Sequence, residues 1–204
     1  MRVREATLAD VDGAADVLST AHEHYAWAVW AFPGPDRRAR LRGLFRADLA
    51  LAVSAPGDST VWVVDDGGGL ATVAMWRPPW PRAYTPEALA AHEAASAPLI
   101  GDDGDRLDAA DARTRHAHPP APNWYLGTVG THPDHRRRGL AAAVVEPVLT
   151  RCDADGTVAF LETSSDDNVR GYRRLGFEVV FETVTSDGVL PLYVMHRTPV
   201  TRAR

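Results

Sequence analysis

The sequence predicts one α/β domain over residues 1–204, built on a mixed β-sheet. Apolar positions at helical spacing alternate with short runs of β-branched residues, and the last third follows the order strand, helix, strand, helix, strand, strand. Hydrophobic residues make up 45% of the chain and charged residues 24%, so a packed core is expected. A length of 204 residues fits one domain, or one domain with a large insertion.

The first half of the chain predicts a strand, several helices and one hairpin. Thr7 followed by Asp10 has the pattern of a helix N-cap with an acidic third residue, and apolar residues at helical spacing follow as far as Ala21. Residues 25–32 are expected to form an aromatic-rich loop. We expect strands over residues 3–6, 60–64 and 70–76, the last two antiparallel, and helices over residues 36–52, 85–97 and 105–117.

The last third of the chain is more sharply patterned. Pro147 lies inside a predicted helix and indicates that this helix is kinked or shortened, because proline removes one backbone hydrogen bond. We expect strands over residues 124–131, 158–163, 177–185 and 192–196, and helices over residues 140–152 and 167–175.

Composition argues against several classes of protein. The formal net charge of -5 disfavours a nucleic-acid partner. Cys152 is the single cysteine, so no intramolecular disulfide can form and a cytoplasmic location is expected. No apolar run reaches the roughly 18 residues of a membrane span, and no apolar leader follows the N-terminus. No metal site is expected, because the histidine pairs have i, i+2 spacing and point to different helix faces.

A basic turn has the pattern of an anion site. The preceding strand stops at Pro133, and Gly139 opens a helix after three consecutive arginines, Arg136, Arg137 and Arg138. The first turn of a helix exposes unpaired N–H groups at the positive end of its dipole, so a pyrophosphate fits there. The alternative is a surface turn with solvated arginines. The turn lacks the Lys-Ser/Thr pair of a nucleotide P-loop and the G-x-G-x-x-G of a dinucleotide site.

Downstream residues extend this turn into a longer pattern. Two of them, Asn168 and Tyr172, lie four residues apart on one helix face, and a glycine then closes that helix. The full pattern consists of Arg136-x-x-Gly139-x-Ala141, Asn168, Tyr172 and Gly176-Phe177. It resembles the GNAT family of acetyl-CoA-dependent N-acetyltransferases. The resemblance implies a mixed, mostly antiparallel central sheet flanked by helices.

Longer stretches of the chain are similar to one branch of that family, the puromycin N-acetyltransferases. These stretches are residues 3–11, 61–67, 124–135 and 160–164. The similarity is weakest over residues 25–46 and 76–103. Because such segments shape the acceptor pocket in this family, the resemblance implies that residues 25–46 and 76–118 contribute to the acceptor site.

The resemblance also implies direct transfer of an acetyl group from acetyl-CoA to an amine in a ternary complex. Backbone groups of Val129 and Thr131 would bind the pantetheine arm. Asn168 would hydrogen-bond the cofactor, and its alternative role is to cap the helix. The pyrophosphate would lie on the turn and helix start formed by Arg136, Arg137, Arg138, Gly139, Leu140, Ala141 and Ala142.

Two side chains are the main candidates for the proton transfers. An unperturbed phenol has a pKa of about 10, so Tyr172 is protonated at neutral pH and is the predicted general acid, with packing against the sheet as the alternative. Glu162 is the candidate base, or else a structural carboxylate that binds main-chain N–H groups. His132 is a second candidate base, or only caps the basic turn. An acceptor amine of low pKa would need little base at all.

The acceptor is the part that the sequence determines least. Tyr25, Trp30 and Trp76 are predicted to contact it, although core packing explains many of the aromatic residues in their segments without a ligand. The favoured acceptor is a small-molecule amine, such as the aminonucleoside antibiotic puromycin, which would make the chain a resistance enzyme. Acetylation of protein lysines or N-termini and a catalytically silent acyl-CoA sensor stay open, as do a monomer and a homodimer.

Overall fold

Seven strands form one mixed sheet in the described part of the chain, which is residues 1–55, 57 and 59–200 of a computed structural model. Their order across the sheet is β1-β2-β3-β4-β5-β7-β6, and every neighbouring pair is antiparallel except β4 and β5. The predicted α/β fold with a mixed, mostly antiparallel sheet is therefore confirmed. The strands are β1 Arg2–Glu5, β2 Val61–Asp65, β3 Leu70–Arg77, β4 Asn123–Thr131, β5 Val158–Thr163, β6 Glu178–Val184 and β7 Pro191–Arg197.

Helices cover both faces of this sheet. They are α1 Val11–His22, α2 Ala26–Ala31, α3 Arg37–Ser54, α4 Pro86–Ile100, α5 Gly104–Thr114, α6 Leu140–Asp155 and α7 Asp166–Arg173. Val61 and Val63 of β2 are buried under α1 and α3, whereas the adjacent Val64 is buried with residues of α6 and α7. Successive side chains of a strand point to opposite faces, so β2 contributes to two cores.

The short helix α2 lies where the sequence predicts a loop, so that prediction is wrong. Ala28 and Ala31 of α2 are buried in one cluster with Phe32 and with Leu41 of α3. A helix of six residues is not stable by itself in water. Its packing against α3 stabilises it, and this long-range contact is absent from the local pattern.

The helix α6 continues past Pro147 as far as Asp155, so Pro147 does not shorten it, and the alternative of a kink stays a prediction. On the side that faces the sheet, α6 buries Val144, Val148 and Cys152 among other residues. Burial of a valine stabilises by about 1.5 kcal/mol or more, so several such residues offset the roughly 3 kcal/mol that an interior proline costs. Burial also raises the pKa of the Cys152 thiol to about 12, which leaves it unreactive at neutral pH.

The parallel strands β4 and β5 separate halfway along β4. They pair over residues 123–126 of β4 only. On the other side of β4, the register with β3 shifts between Met75 and Trp76, which leaves Gly127 without a partner on β3. Such an extra residue is a β-bulge, and it bends the strand. The remainder of β4 pairs with β3 alone, and its other edge is open.

Candidate active site

A cleft of about 640 Å³ lies at the point where β4 and β5 separate. Its walls come from the end of α1, the open edge of β4, the turn that precedes α6, the end of β5 and α7. The structure therefore brings together residues from distant parts of the predicted site. The predicted site residues that line this cleft are Tyr25, Val129, Thr131, Arg136, Glu162, Asn168 and Tyr172.

The open edge of β4 presents backbone groups to the cleft. On the opposite edge, the N–H of His132 donates to the carbonyl oxygen of Ala71 at 2.9 Å. Backbone groups alternate sides along a strand, so those of Val129 and Thr131 point away from β3 and into the cleft. β5 does not pair with them there. They are free to bind a ligand that carries amide groups.

The first turn of α6 has the geometry of an anion site. Gly139 is the N-cap residue in the left-handed conformation, with φ 75°, and no side chain of the described residues caps the helix. The first helical hydrogen bond runs from the N–H of Ala143 to the carbonyl oxygen of Gly139, so Leu140, Ala141 and Ala142 have no helical acceptor. The N–H groups of these three residues point outward at the positive end of the helix dipole. That a pyrophosphate binds them stays a prediction.

The three arginines of the turn differ in their surroundings. Arg136 lines the cleft and donates a hydrogen bond to the carbonyl oxygen of Ala21 at 3.2 Å. Arg138 lies outside the cleft lining, and its guanidinium is 3.7 Å from the carboxylate of Asp66. Arg137 is exposed, with φ 61°. Arg136 is therefore the arginine best placed to contact a ligand inside the cleft. The other two arginines and the first residues of α6 lie outside the cleft lining.

The helix α7 places Asn168 and Tyr172 in the cleft. Ser165 is the N-cap residue, because its Oγ accepts a hydrogen bond from the Asn168 N–H at 3.4 Å, so the alternative that Asn168 caps the helix is wrong. The Asn168 side chain instead donates to Oγ1 of Thr163 at 3.2 Å. Tyr172 packs edge-to-face on Phe177, and burial raises the pKa of its phenol well above the usual value. The phenol is therefore protonated at neutral pH.

A second cavity, of about 340 Å³, adjoins the cleft. Its apolar walls come from α2, α3, α5 and β7 and include Trp27, Phe45, Leu107, Ala110 and Leu192. Both segments that the resemblance assigns to the acceptor site, residues 25–46 and 76–118, supply part of this lining. The two cavities share a wall that consists of His22, Tyr25, Gly127, Thr128, Glu162 and Thr163.

Glu162 lies in the shared wall and is held by two side chains. The hydroxyl of Tyr125 donates to one carboxylate oxygen at 3.2 Å, and Nε2 of His118 lies 3.2 Å from the other. Burial, together with the negative charge of Glu162, raises the pKa of Tyr125 well above its usual value, so this tyrosine stays a hydrogen-bond donor. Glu162 thus presents a fixed carboxylate to both cavities.

Tyr25 fixes the start of α2 against the end of β5. Its hydroxyl accepts a hydrogen bond from the N–H of Ser164 at 2.7 Å and lies 3.0 Å from Oγ1 of Thr163. Because the ring lines both cavities, Tyr25 lies where the sequence predicts an acceptor contact. That it contacts an acceptor stays a prediction.

Trp30 and Trp76, which are also predicted to contact the acceptor, line neither cavity. Trp30 donates from Nε1 to the carboxylate of Asp187 at 2.8 Å, on the loop between β6 and β7. Trp76 is only 5% exposed and packs edge-to-face on Trp124 in the core beneath α6. The same hydrophobic driving force buries aromatic residues in cores and in pockets, so composition alone does not separate the two.

Sequence reasoning missed several residues that line the cavities. Tyr125 and Thr128 lie in the stretch 124–135 that carries the resemblance, but nothing in that stretch marks their side chains as site residues. No motif surrounds His22, and the neighbours of all three in the cavity wall are distant in sequence. His132 was a candidate base, but its Nδ1 accepts the N–H of Asp134 at 3.4 Å, so it caps the basic turn. Among the described residues, no three acidic, histidine or cysteine side chains come together as a metal site, and no helix is long and apolar enough to cross a membrane.

Comparison with known families agrees with this architecture. The acetyltransferase (GNAT) family model matches residues 22–177, which include β4, α6 and α7. The chain therefore belongs to the acetyltransferase (GNAT) family, and the predicted membership is confirmed.

Individual relatives show how far the similarity extends. An uncharacterized N-acetyltransferase of Schizosaccharomyces pombe is 28% identical over 110 residues, which are 52% of this chain and 41% of the relative, so the match spans less than half of that protein. A crystal structure titled histone acetyltransferase HPA2 and related acetyltransferase, from Corynebacterium glutamicum, is 26% identical with a TM-score of 0.67, over 99% of this chain and 98% of that one. The polyamine N-acetyltransferase of Drosophila melanogaster, at 15% identity and a TM-score of 0.61 over 97% and 99% of the two chains, shares the fold.

Proposed function

We propose that this protein transfers an acetyl group from acetyl-CoA to an amine of a small molecule by direct attack in a ternary complex. The observation that carries the proposal is the pair of cavities that meet at Glu162, one with the features of a cofactor cleft and one with apolar walls. Two substrates that bind in adjoining cavities can react without a covalent enzyme intermediate. We further propose that the reaction takes place in the cytoplasm.

The residues of the cleft fit the chemical groups of coenzyme A. The free backbone groups of Val129 and Thr131 suit the amides of the pantetheine arm. The N–H groups at the start of α6, with Arg136 beside them, suit the pyrophosphate. Bound there, acetyl-CoA supplies the thioester. Asn168 lies beside Thr163 in the same cleft and is available to a ligand hydrogen bond.

Tyr172 is the proposed general acid. Its phenol lines the cleft and stays protonated at neutral pH, and no described residue hydrogen-bonds its oxygen. The phenol is therefore available to donate a proton to a leaving sulfur. Glu162, the predicted base, lies in the wall that the two cavities share.

The second cavity favours a small amine that carries an apolar group. A volume of about 340 Å³ is in the range of small-molecule sites. Trp27, Phe45 and Leu107 offer apolar contacts, and the carboxylate of Glu162 attracts a positively charged amine. Puromycin combines an amine with an aromatic ring, so an aminonucleoside is the acceptor that we propose, with antibiotic resistance as the physiological role.

Thiol release from acetyl-CoA tests the proposal. We expect release with puromycin, less with spermidine and least with a lysine-containing peptide, and mass spectrometry should find one acetyl group on the amine. Release without any amine is the control for hydrolysis. Faster turnover of the peptide would favour a protein acetyltransferase. Tight binding of coenzyme A without turnover of any amine would favour the acyl-CoA sensor and overturn the proposal.

A further inference from the structure

We propose that Thr128 and His22 form the pair that accepts the proton of the acceptor amine, whereas Glu162 holds the positive charge of that amine. This inference rests on the proposed amine acetylation and assigns the base within the same site. Both members of the pair lie in the wall shared by the two cavities. A proton acceptor must lie at this wall, because the amine and the thioester meet there.

The hydrogen bonds of His22 fix its tautomer. Nδ1 lies 2.8 Å from the carbonyl oxygen of Leu18, one helical turn earlier, and a carbonyl only accepts, so Nδ1 carries the hydrogen. Nε2 therefore has a free lone pair. Oγ1 of Thr128 lies 3.4 Å from Nε2 and donates to it. The threonine hydroxyl can then accept a hydrogen bond from an amine while it donates to the imidazole.

Packing fixes the orientation of the His22 ring. Gly130 of β4 lies so close that a Cβ at this position would be 3.0 Å from Cε1 of His22 and 2.9 Å from Leu18. On the other side, the ring of Phe45 from α3 lies 5.4 Å from the imidazole, centroid to centroid. The absence of a side chain at Gly130 lets the end of α1 approach β4, and this approach brings Nε2 to Thr128.

Burial is the main reason that His22 is neutral. Burial lowers the pKa of His22, and the positive charge of Arg136, from the turn before α6, lowers it further, while the bond to Leu18 opposes both effects. Glu162 from β5 and the phenol of Tyr25 share the wall of both cavities with it. Asp111 of α5 and Tyr125 of β4 line the second cavity, and His24 lines the cleft. α3 contributes the uncharged Phe45. His22 is therefore an unprotonated imidazole at neutral pH, as a proton acceptor must be.

Glu162 has a different arrangement. Both of its carboxylate oxygens already have partners, Tyr125 and His118, which hold the group in place. A carboxylate held in this way attracts an ammonium group and orients it. The Nε2 of His22 has one long hydrogen bond from a hydroxyl, so its lone pair is the more available of the two.

The proton transfers accompany attack by the amine. The ammonium group held by Glu162 first loses one proton to solvent. The neutral amine then uses its lone pair to form a C–N bond with the thioester carbon while the carbonyl π electrons move to oxygen, and the nitrogen becomes strongly acidic. Its proton goes to Oγ1 of Thr128 as the hydroxyl proton of Thr128 goes to Nε2 of His22, which becomes an imidazolium. The C–S bond breaks, the electron pair leaves with sulfur, and sulfur takes a proton from Tyr172. His22 returns its proton through solvent, which restores Tyr172.

Matched variants test the pair. His22→Asn keeps a donor for the carbonyl of Leu18 but removes the base, and Thr128→Val keeps the shape of threonine but removes the hydroxyl. We expect both to lower kcat about ten-fold or more, as loss of general base catalysis does. Thr128→Ser, which keeps the hydroxyl, should retain a higher kcat than Thr128→Val. His92→Gln in α4, outside both cavities, is the control for a histidine substitution.

The pH profile separates a base from a structural residue. In the wild type, kcat should decline on the acidic side with a pKa below the usual value of about 6.5 for histidine. This decline should disappear in His22→Asn and persist in Glu162→Gln, whose main effect should be a higher KM for the amine. In the free wild-type protein, ¹⁵N NMR should show His22 as the neutral Nδ1–H tautomer at pH 7, and calorimetry should show unchanged coenzyme A affinity in His22→Asn and Thr128→Val.

Each result decides the proposal. The proposal is overturned if His22→Asn keeps both the wild-type kcat and the decline of kcat on the acidic side. It is also overturned if Glu162→Gln loses that decline. Equal activity of Thr128→Val and Thr128→Ser would overturn the relay through Thr128. If His22→Asn does not fold, the two threonine variants and the NMR measurement still decide the matter. Absence of wild-type turnover with every amine would instead overturn the proposed function and this inference with it.

Discussion

Tyr172 shows how the chemistry of one side chain depends on its surroundings. Its ring packs on Phe177, which follows α7, and the residue also lines the cleft. Burial raises the pKa of the phenol, so the proton stays on oxygen at neutral pH and the hydroxyl is a hydrogen-bond donor. Packing and catalysis, which the sequence leaves as alternatives, are therefore compatible in this residue.

Tyr172→Phe keeps the packed ring and removes only the hydroxyl. We expect kcat to fall about ten-fold or more with little change in the KM for acetyl-CoA, because a general acid acts in the transition state. Steady-state kinetics with a fixed amine measure both constants. Tyr193→Phe is the matched control, since that hydroxyl donates to Asp166 outside the two cavities. An unchanged kcat in Tyr172→Phe would refute its role as an acid.

Two elements, β4 and α6, supply the backbone groups that we propose bind the cofactor, those of β4 in the cleft and those of α6 beyond its lining. The bulge at Gly127 opens the edge of β4, and Gly139 allows the chain to turn into α6 with its first N–H groups exposed. Gly156 ends the same helix, also in the left-handed conformation. The two glycines have similar φ, 75° and 67°, and a Cβ at either would meet no atom within 4 Å.

These two glycines provide a matched pair of substitutions. Gly139→Ala and Gly156→Ala should each destabilise the fold by about 1 kcal/mol, because alanine is strained in the left-handed region. Only Gly139→Ala should also weaken coenzyme A binding, since its methyl group lies beside the N–H groups that would bind the pyrophosphate. Thermal unfolding and calorimetry measure the two effects. Equal coenzyme A affinity in both variants would contradict the assignment of the anion site to α6.

At the scale of the whole molecule, Arg197 connects three elements. Its guanidinium makes two hydrogen bonds to the carboxylate of Asp153 on α6, at 2.7 and 2.8 Å, and a third to the carbonyl of Leu175 after α7. The Arg197 side chain lies on β7 and is only 9% exposed. A charge buried to this extent needs its partner, because removal from water is costly. This ion pair therefore joins α6, β7 and the segment after α7 on one side of the sheet.

Asp153→Asn tests this connection. We expect the free energy of unfolding to fall by about 3 kcal/mol, because the substitution leaves the buried guanidinium with a weaker, uncharged partner. Chemical denaturation measures the change. Asp12→Asn is the control, since Asp12 pairs with Arg46 at an exposed site where such pairs contribute about 1 kcal/mol or less. A similar loss of unfolding free energy in the two variants would show that burial does not make the Asp153 pair more stabilising than the exposed Asp12 pair.

Much of the fold follows from local patterns in the sequence. Each of the seven strands lies within about two residues of its predicted position, because β-branched runs bounded by turn residues are local signals. The two failures, α2 and the length of α6, have one cause. In both, side chains buried against distant elements outweigh what the neighbouring residues favour. In the candidate site, too, some features follow from local sequence and others depend on contacts between distant residues.

The sequence by itself determined the family pattern, the helix start at Gly139 and the spacing of Asn168 and Tyr172, because each of these depends on residues within one or two helical turns. The tertiary structure decided which side chains line the second cavity. Tyr25 meets Thr163, His22 meets Thr128 and Glu162 meets His118 across 138, 106 and 44 residues of sequence. It also placed Trp76 in the core and Trp27 in the cavity wall. Both positions are apolar, so hydrophobicity is equally satisfied by either, and only the packing of the whole chain distinguishes them.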